Sequence, residues 1–328
     1  MNLLTMHARP SFLYLVSLTT FAFFTLKMAY DVFTGLDMWK SESPSQPRTF
    51  SRPNGIPCKN ADFSPQHKKA VYTLLTDDPH YILSALKLAH ALRLHTTDEQ
   101  FDMVVMEIES KPLGSTAWRC LQEMGWKRCV VDFIQPLDEA GTRTRYPRFV
   151  NVFTKLHVWG MTMYQTLVFL DADTLVLRSI SHLLKRKLDN KSIAASAQTW
   201  YGVFQDFNTG VFVIHPTRHE YERLLRLQQD LSIQFDTVWG DQGFLNVVYK
   251  NKWADLGFTN NALAWVSWQN HAYWLHRYAH INIIHFTGLK PWVCFPGEFI
   301  HWLISPSAYY TQICKVWNDM PPQTCVNH

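Results

Sequence analysis

The sequence predicts an α/β fold built on parallel strand pairing, and three observations support this prediction. Short apolar runs suited to strands alternate with segments of helical spacing from residue 70 onward. The connecting segments are long enough for helical crossovers, which favour right-handed connections between parallel strands. The segment 166–177, TLVFLDADTLVL, begins with an apolar run that is typical of a fully buried strand.

Composition indicates a folded domain and argues against a nucleic-acid partner. The chain has 328 residues, 47% of them hydrophobic, and can bury one large core or two modest ones. Its formal net charge of +4 arises before residue 70, where eight basic residues face four acidic ones. The 23 basic and 23 acidic residues that follow cancel. Since no basic face is implied, we expect no nucleic-acid binding.

The N-terminal region predicts a membrane anchor followed by a stem. Residues 12–26 carry no charge, and this run of about 15 residues is short for a spanning helix but long enough for a signal-peptide core. We predict a cytoplasmic tail at 1–10, an uncleaved single-pass signal anchor at 11–30 and a Pro/Ser-rich stem at 31–66, with a cleaved signal peptide as the alternative. The folded part is then expected in the secretory lumen, at the Golgi or another secretory-pathway membrane.

The pattern after residue 70 assigns the individual elements. Strands are predicted at residues 70–76, 101–108, 129–134, 166–170, 193–197, 210–215 and 281–286. Helices are predicted at residues 81–94, in a segment ending near 125, and at 150–163, 217–231 and 244–249. The tetrapeptide FNTG at 207–210 is interpreted as a break between two strands. The segment 135–148 is irregular, and its Arg143, Arg145 and Arg148 suit either an anion or an ordinary solvated loop.

Two acidic residues follow the apolar run, and their spacing favours a metal site. Asp171 and Asp173 occupy positions i and i+2 of an extended segment, so their carboxylates project to the same side. Hard divalent cations prefer oxygen ligands, and in α/β sheets ligands bind beyond the carboxyl ends of the strands. The alternative is a solvated turn in which Asp173 caps the next helix. His285, at the end of the last predicted strand, either reaches the same metal or has a structural role.

Three further motifs bear on nucleotide binding and on the compartment. No GxGxxG follows the first strand, and the polar loop TDDP at 76–79 stands where a nucleotide base and ribose could bind. Six cysteines allow 15 full pairings, so no disulfide is assigned. Asn190-Lys191-Ser192 is an N-glycosylation sequon.

Six sequence blocks together resemble one enzyme family. They are YTLLTDD at 72–78, FTKLHVW at 153–159, VFLDADTLVL at 168–177, FNTGVFVI at 207–214, GDQGFLN at 240–246 and HFTGLKPW at 285–292. In this order and spacing they resemble glycogenin and its relatives, the family 8 glycosyltransferases with a nucleotide-diphosphosugar transferase fold (GT-A, Rossmann-like). The resemblance covers about residues 70–295. It implies a single catalytic domain at 67–300 and a C-terminal extension at 301–328.

The resemblance also implies a set of site residues. Asp171, Asp173 and His285 would hold Mn²⁺, with Mg²⁺ as the alternative, against a UDP diphosphate, and Lys290 would lie near the same phosphates. The residues implied to bind the UDP-sugar are Thr76, Asp77, Tyr81, Lys155, Asp171, Ala172, Asp173, Asn208, Gly288 and Lys290. Those implied to surround the transferred sugar as catalytic residues are Lys155, Asn208, Asp241 and Gln242. The implied reaction is transfer of a hexose or hexuronic acid, with retained anomeric configuration, to a lumenal glycan, glycolipid or protein.

Departures from glycogenin keep the donor sugar open. Glycogenin glucosylates its own tyrosine, and here Trp268 stands near that position. The blocks at 144–156 and 289–306 resemble instead the plant-type glucuronosyltransferases, including those acting on inositol phosphorylceramide. Arg145 or Arg148 could pair with a glucuronate carboxylate. The donor therefore stays between glucose and glucuronate, with other hexoses possible. The oligomeric state is not predicted.

Two other functions share the same residues. The strand followed by DxDxT matches the motif of haloacid-dehalogenase-type phosphatases, where Asp171 would be phosphorylated and Asp173 would act as acid and base. Against it, about 100 residues of α/β pattern precede the motif, and GDQGFL lacks the second acid of that class. The other alternative is a catalytically silent lumenal binding protein on the same fold. Aromatic residues that could bind an acceptor, or form core, are Trp265, Trp268, Tyr273 and Trp274.

Overall fold

A mixed sheet and a smaller second sheet organise the chain. The computed structural model describes residues 56–135, 150–198, 206–288, 290–293 and 308–321. The predicted tail and anchor, most of the stem and the loop carrying the three arginines lie outside the described residues. Within the described part, no helix is both long and apolar enough to cross a membrane.

Ten strands and eight α-helices are formed by the described residues. The strands are β1 Lys69–Leu75, β2 Asp102–Ile108, β3 Trp126–Val131, β4 Thr166–Leu170, β5 Thr174–Val176, β6 Ile193–Ala197, β7 Phe207–Ile214, β8 Trp253–Asp255, β9 Ala262–Leu263 and β10 Ile283–His285. The helices are α1 Pro79–His95, α2 Ser115–Glu123, α3 Ser181–Leu184, α4 Arg218–Gln229, α5 Asp241–Val248, α6 Val266–Gln269, α7 His271–Tyr278 and α8 Ala308–Asp319. The 3₁₀ helices are Val152–Gly160, Thr237–Trp239, Phe258–Asn260 and Pro291–Val293.

The large sheet has a parallel half and a mixed half. Its strand order is β3-β2-β1-β4-β7-β6-β8, and the first four strands of this order pair in parallel. This half confirms the parallel pairing expected from the helical crossovers. Strand β7 is antiparallel to both of its neighbours, β4 and β6. A second sheet, of order β5-β10-β9, follows the acidic pair. The sequence did not predict the antiparallel strand or the second sheet.

Both faces of the large sheet are covered, which explains why its central strands are apolar without alternation. All five residues of β4 are buried. Val168 and Leu170 pack in the cluster that includes α1, whereas Leu167 and Phe169 pack in the cluster on the other face. On that second face the Phe169 and Phe212 rings stack with centroids 5.0 Å apart. Two-sided burial of this kind is typical of strands in an α/β sheet.

Three predictions about local structure were wrong in detail. The FNTG tetrapeptide does not break the sheet, because β7 already begins at Phe207. Asn246 holds both sides of the Phe207 backbone, accepting from its N–H at 2.8 Å and donating to its carbonyl at 2.8 Å. The helix predicted at 150–163 is a shorter, buried 3₁₀ helix, Val152–Gly160. Asp173 does not cap a helix, since strand β5 follows it.

The described part of the C-terminal extension packs onto the domain. The Lys87 ammonium of α1 donates to the carbonyl oxygens of Trp317, at 2.9 Å, and of Met320. The Trp317 ring lies edge-on to Phe286, with centroids 5.4 Å apart. Because Phe286 follows β10 directly, α8 supports the strand that carries His285. These two carbonyls lie at the carboxyl end of α8, where a lysine ammonium can supply hydrogen bonds that the helix itself does not.

Disulfides and an exposed sequon accompany this fold. Cys58 is bonded to Cys129, which ties the segment before β1 to β3. Cys120 and Cys314 are also disulfide-bonded. Asn190 is exposed, so the sequon is accessible for modification. Structural disulfides such as these are typical of proteins in oxidising compartments.

Candidate functional site

The candidate site lies where β4 ends and the two sheets meet. Asp171 and Asp173 are held in a tight turn between β4 and β5. The Asp171 N–H donates to the Gly210 carbonyl at 2.7 Å, and the Thr174 hydroxyl donates to the Asp171 carbonyl at 2.8 Å. The Phe286 N–H donates to the Asp173 carbonyl at 3.0 Å. The backbone of the acidic pair is therefore positioned by β7 on one side and by the β10 end on the other.

His285 joins the acidic pair, as the sequence predicted. Its Nε2 lies 3.5 Å from Asp173 Oδ1 and 3.8 Å from Asp171 Oδ2. Potential ligand atoms of the three residues all lie within 4.8 Å of one another. Asp173 and His285 are buried, and Asp171 is half-buried. Two oxygen ligands and one imidazole nitrogen converging on one point can hold a divalent metal ion.

Close packing against Gly210 lets the imidazole reach this position. A Cβ at residue 210 would lie only 2.0 Å from His285 Cε1. Any side chain on β7 at this point would displace the ring. The glycine of FNTG therefore serves close approach rather than a turn.

Two lysines neutralise the acidic pair. Lys155 Nζ lies 2.8 Å from Asp171 Oδ1 and 3.4 Å from Asp241 Oδ2, and Lys290 forms an ion pair with Asp173. Burial opposes the charge of Lys155, but the carboxylates of Asp171 and Asp241 outweigh it and raise the pKa of Lys155. Burial by itself would raise the pKa of Asp173; Lys290 and His285 instead hold that pKa well below its usual range. The site thus carries closely balanced charges away from bulk water.

Asp241 is the least satisfied acid of the site. It begins α5 and is 3% exposed. Burial raises the pKa of Asp241 to about 6, an effect that the nearby Lys155 only partly offsets. Among the described residues its Oδ2 has no hydrogen-bond partner. Its one described partner is the ion pair with Lys155 at 3.4 Å, and a buried carboxylate oxygen so sparsely bonded is typical of a position that receives a ligand group.

A cluster of amide side chains lies beside these charges. Asn208 donates from Nδ2 to Gln198 Oε1 and to Gln242 Oε1, each at 3.0 Å. Gln242 donates in turn to Gln198 at 3.3 Å. Asn261 Nδ2 donates to Asn208 Oδ1 at 2.9 Å, and Asn261 Oδ1 lies 3.0 Å from His285 Nδ1. We refer to Gln198, Asn208, Gln242 and Asn261 as the amide cluster.

Sequence reasoning found half of this cluster. Asn208 and Gln242 were predicted, whereas Gln198 and Asn261 were missed. Gln198 follows β6 directly, and its place after a predicted strand was a usable signal. Asn261 precedes the two-residue strand β9, which leaves no signal in the local sequence pattern.

The loop after β1 and the start of α1 carry three of the residues predicted to bind the UDP-sugar. Thr76 is half-buried and Asp77 is exposed in this loop. Asp78 caps α1 by accepting from the His80 N–H at 2.8 Å. Burial raises the pKa of Tyr81 to about 12, with Lys290 opposing and Asp173 adding to the shift. Tyr81 is therefore within electrostatic reach of the acidic pair.

The remaining predicted positions fall at or beyond the site's edge. Ala172 is buried between the two acids, and Gly288 is exposed with a φ of 82° that favours glycine. Trp274 is fully buried and belongs to the core, whereas Trp265 and Tyr273 are half-buried. The side chain of Trp268 and the three arginines at 143, 145 and 148 lie outside the described residues.

Comparison with known proteins identifies the family. The family model described as Glycosyl transferase family 8 matches residues 73–294. This chain belongs to glycosyl transferase family 8. Its α/β fold is of the GT-A glycosyltransferase type, as predicted. The phosphatase hypothesis is wrong, because the acidic motif follows the fourth strand of this fold rather than opening it.

Relatives within family 8 fall into the two branches that the sequence suggested. The chain is 34% identical over 232 residues to glycogenin-1 of Caenorhabditis elegans, covering 68% of this chain and 51% of that protein. It is 27% identical over 287 residues to inositol phosphorylceramide glucuronosyltransferase 1 of Arabidopsis thaliana, covering 80% and 49%. The chain thus spans about half the length of the curated relatives it matches.

A solved structure shares the fold at low sequence identity. The WbbM bifunctional glycosyltransferase in its apo form superposes with a TM-score of 0.57 at 17% identity, covering 80% of this chain and 51% of that one. At this identity the likeness concerns the fold alone.

Proposed function

We propose that this chain is a metal-dependent hexosyltransferase that moves a hexose or hexuronic acid from a UDP-sugar, with retention of anomeric configuration. The observation that carries the proposal is the convergence of Asp171, Asp173 and His285 beside the amide cluster. A metal triad next to a pocket of hydroxyl-binding groups is suited to a diphosphate linked to a sugar.

The ligand set fits Mn²⁺. Two carboxylates and one imidazole nitrogen form a mixed set, which Mn²⁺ accepts, whereas Mg²⁺ prefers oxygen ligands throughout. When bound, the cation would neutralise charge on the diphosphate as UDP departs. The Lys290 side chain is 32% exposed and pairs with Asp173, so its ammonium can turn toward a phosphate without leaving the site.

The transferred sugar is assigned to the region between Lys155, Asp241 and the amide cluster. Asp241 Oδ2, which has only the ion pair with Lys155, can accept a sugar hydroxyl. Gln242 donates only one of its two N–H groups to the cluster and can donate the other, while Asn208 holds the Gln242 amide in place. Tyr81 and the Thr76–Asp77 loop are assigned to the uridine. We name no nucleophile.

The sequence and the disulfides support a proposed secretory compartment. The predicted anchor at 11–30 and stem at 31–66 would place the domain in the lumen of the Golgi or another secretory compartment. Disulfides at Cys58, Cys120, Cys129 and Cys314 suit that environment. A lumenal glycan, glycolipid or protein is the proposed acceptor.

A donor panel tests the proposal. The full chain, solubilised in detergent, is incubated with individual UDP-sugars with and without Mn²⁺, and UDP release is followed. We expect slow, metal-dependent hydrolysis of one donor, because water replaces a missing acceptor. UDP binding by thermal shift without turnover of any donor would favour the silent binding protein. Absence of UDP binding would contradict both.

The donor sugar is tested by two arginine variants. If a glucuronate carboxylate is bound by the segment 135–148, Arg145→Ala and Arg148→Ala should reduce use of UDP-glucuronate while sparing UDP-glucose. An equal loss with both donors would count against carboxylate recognition by these residues.

A further inference from the structure

We propose that Asn261 is a positioning residue that sets the tautomer of His285 and thereby couples the metal triad to the amide cluster. The proposal rests on the proposed function, because it assigns Asn261 a role toward the metal. It concerns a residue that no sequence motif singled out and that is 1% exposed.

The hydrogen-bond directions can be deduced from one backbone group. The Gly210 N–H donates to the Asn208 side chain at 2.9 Å, and a backbone N–H can only donate. The acceptor on Asn208 must therefore be its oxygen, Oδ1. Asn261 places its own amide 2.9 Å from the same oxygen, so the group facing it must be the NH₂ of Asn261.

The orientation of the Asn261 amide determines which of its atoms faces His285. With its NH₂ directed at Asn208, Asn261 presents its oxygen to His285 Nδ1 at 3.0 Å. An oxygen accepts, so Nδ1 carries the proton. Nε2 of the neutral ring then keeps its lone pair, and it is Nε2 that lies 3.5 Å from Asp173. The other tautomer would direct an N–H into the metal site and offer no ligand there.

The opposite end of Asn261 acts on the amide cluster. Because Asn208 Oδ1 is occupied by Gly210 and Asn261, its NH₂ must point to the oxygens of Gln198 and Gln242. The Thr209 N–H reaches Gln242 Oε1 at 3.4 Å and gives that amide the same orientation. One buried side chain therefore bonds both to the metal-binding imidazole and, through Asn208, to the amides assigned to the sugar.

The neighbouring asparagine provides a matched control. Asn260 is 8% exposed and equally well bonded, accepting from Asn282 Nδ2 at 2.9 Å and donating to the Leu256 carbonyl at 2.6 Å. Among the described residues, its side-chain partners His182, Leu256 and Asn282 lie outside the metal triad and the amide cluster. A change at this position reports the cost of disturbing the loop without touching the site.

Two substitutions at Asn261 separate its two contacts. Asn261→Asp keeps an oxygen for His285 Nδ1 but cannot donate to Asn208. Asn261→Leu removes both contacts at similar volume. The full chain of each variant, and of Asn260→Leu, is titrated with Mn²⁺ and followed by electron paramagnetic resonance, after thermal unfolding has shown that it is folded.

We expect Asn261→Leu to weaken Mn²⁺ binding about 10–100-fold, the usual effect of losing a partner behind a metal ligand. Asn261→Asp should bind Mn²⁺ at least as tightly as the parent, yet show a raised KM for the UDP-sugar. Asn260→Leu should bind Mn²⁺ like the parent. Parent-like binding by Asn261→Leu, or equal weakening in the Asp and Leu variants, would overturn the proposal.

A second measurement keeps this test separate from the proposed function. Nitrogen-15 spectra of histidine-labelled protein report which ring nitrogen of His285 is protonated, with the signal assigned through His285→Gln. A protonated Nδ1 that is lost in Asn261→Leu supports the positioning role even if the parent binds no Mn²⁺, in which case the metal proposal alone fails. An unprotonated Nδ1 in the parent would overturn the positioning role.

Discussion

Two buried acids, Glu107 and Asp241, differ strongly in how many hydrogen bonds they accept. The difference separates an acid that stabilises the fold from one that can bind a ligand. Glu107, in β2, is 0% exposed and accepts from the Leu113 N–H, the Trp118 indole and two nitrogens of Arg128. Asp241 is 3% exposed, but its Oδ2 has only the ion pair with Lys155. Glu107 has no capacity left for a ligand, whereas Asp241 retains it.

A third acid places this difference within the sheet. Asp102 opens β2 and accepts from the Gln66 N–H, from Lys127 and from the Tyr164 hydroxyl. It therefore lies at the amino end of a parallel strand, opposite the edge where ligands bind in α/β sheets. Asp102 and Glu107, at the two ends of β2, are both fully hydrogen-bonded and hold the fold, whereas Asp171, Asp173 and Asp241 are paired mainly with lysines and remain open to a ligand.

The largest expected effect is on turnover at the acidic pair. Asp171→Asn or Asp173→Asn should lower turnover by more than about 1,000-fold, because half of the carboxylate clamp on the metal is lost. Steady-state UDP release measures this, with thermal unfolding as the control for folding. Activity within a factor of two of the parent would contradict metal binding by Asp171 and Asp173.

Glu107→Ala should instead act on stability. It leaves the buried Leu113 N–H and Trp118 indole without an acceptor, which should cost about 3 kcal/mol in the free energy of unfolding. Urea denaturation measures the loss. Glu109→Ala is the matched control, since this side chain is 57% exposed and should cost less than about 1 kcal/mol. Equal losses of stability at both positions would show that the buried hydrogen bonds of Glu107 contribute no more than an exposed ion pair.

Asp241→Asn should increase the free energy of unfolding relative to the parent, whereas Glu107→Ala should decrease it. The increase should depend on pH. Burial raises the pKa of Asp241 to about 6, above the ordinary value near 4 of the unfolded chain. Between these values the native state binds the extra proton, so the parent loses stability as pH rises from about 4 to 6. The Asp241→Asn variant does not lose stability in this way, because asparagine does not titrate.

The free energy of unfolding of Asp241→Asn, measured relative to the parent, should therefore rise by on the order of 2 kcal/mol between pH 4 and pH 7. Turnover should fall at the same time, because the variant cannot present the second carboxylate oxygen to a sugar. A relative stability that is flat across this range would show that Asp241 is not held at a cost to the fold.

The smallest effect is expected at Asp102. In Asp102→Asn the amide oxygen can still accept from the Gln66 N–H and the Tyr164 hydroxyl. Only the partly exposed Lys127 loses its carboxylate partner, and it still donates to the Ser64 carbonyl. We expect a loss of about 1 kcal/mol and unchanged turnover. Urea denaturation and UDP release test both statements. A turnover defect would show that the amino edge of the sheet is coupled to the site.

Much of the fold was predictable because its signals are local. The apolar run of β4 and its terminal acids follow directly from neighbouring residues. The antiparallel β7 was only partly predicted. Its first residues look like a turn, and they extend because Asn246, 39 positions away, holds the Phe207 backbone.

The sequence by itself determined the family, the α/β class, the acidic pair and the position of His285 at the end of the last strand. Only the tertiary structure decided how these parts meet: the second sheet that brings His285 to the acids, Lys290 reaching Asp173 across 117 positions, and Asn261 bonded to Asn208 across 53. The physical reason is that periodicity and capping involve residues a few positions apart. Side-chain hydrogen bonds between distant segments depend instead on the packed arrangement of the whole chain, which leaves little trace in the local pattern.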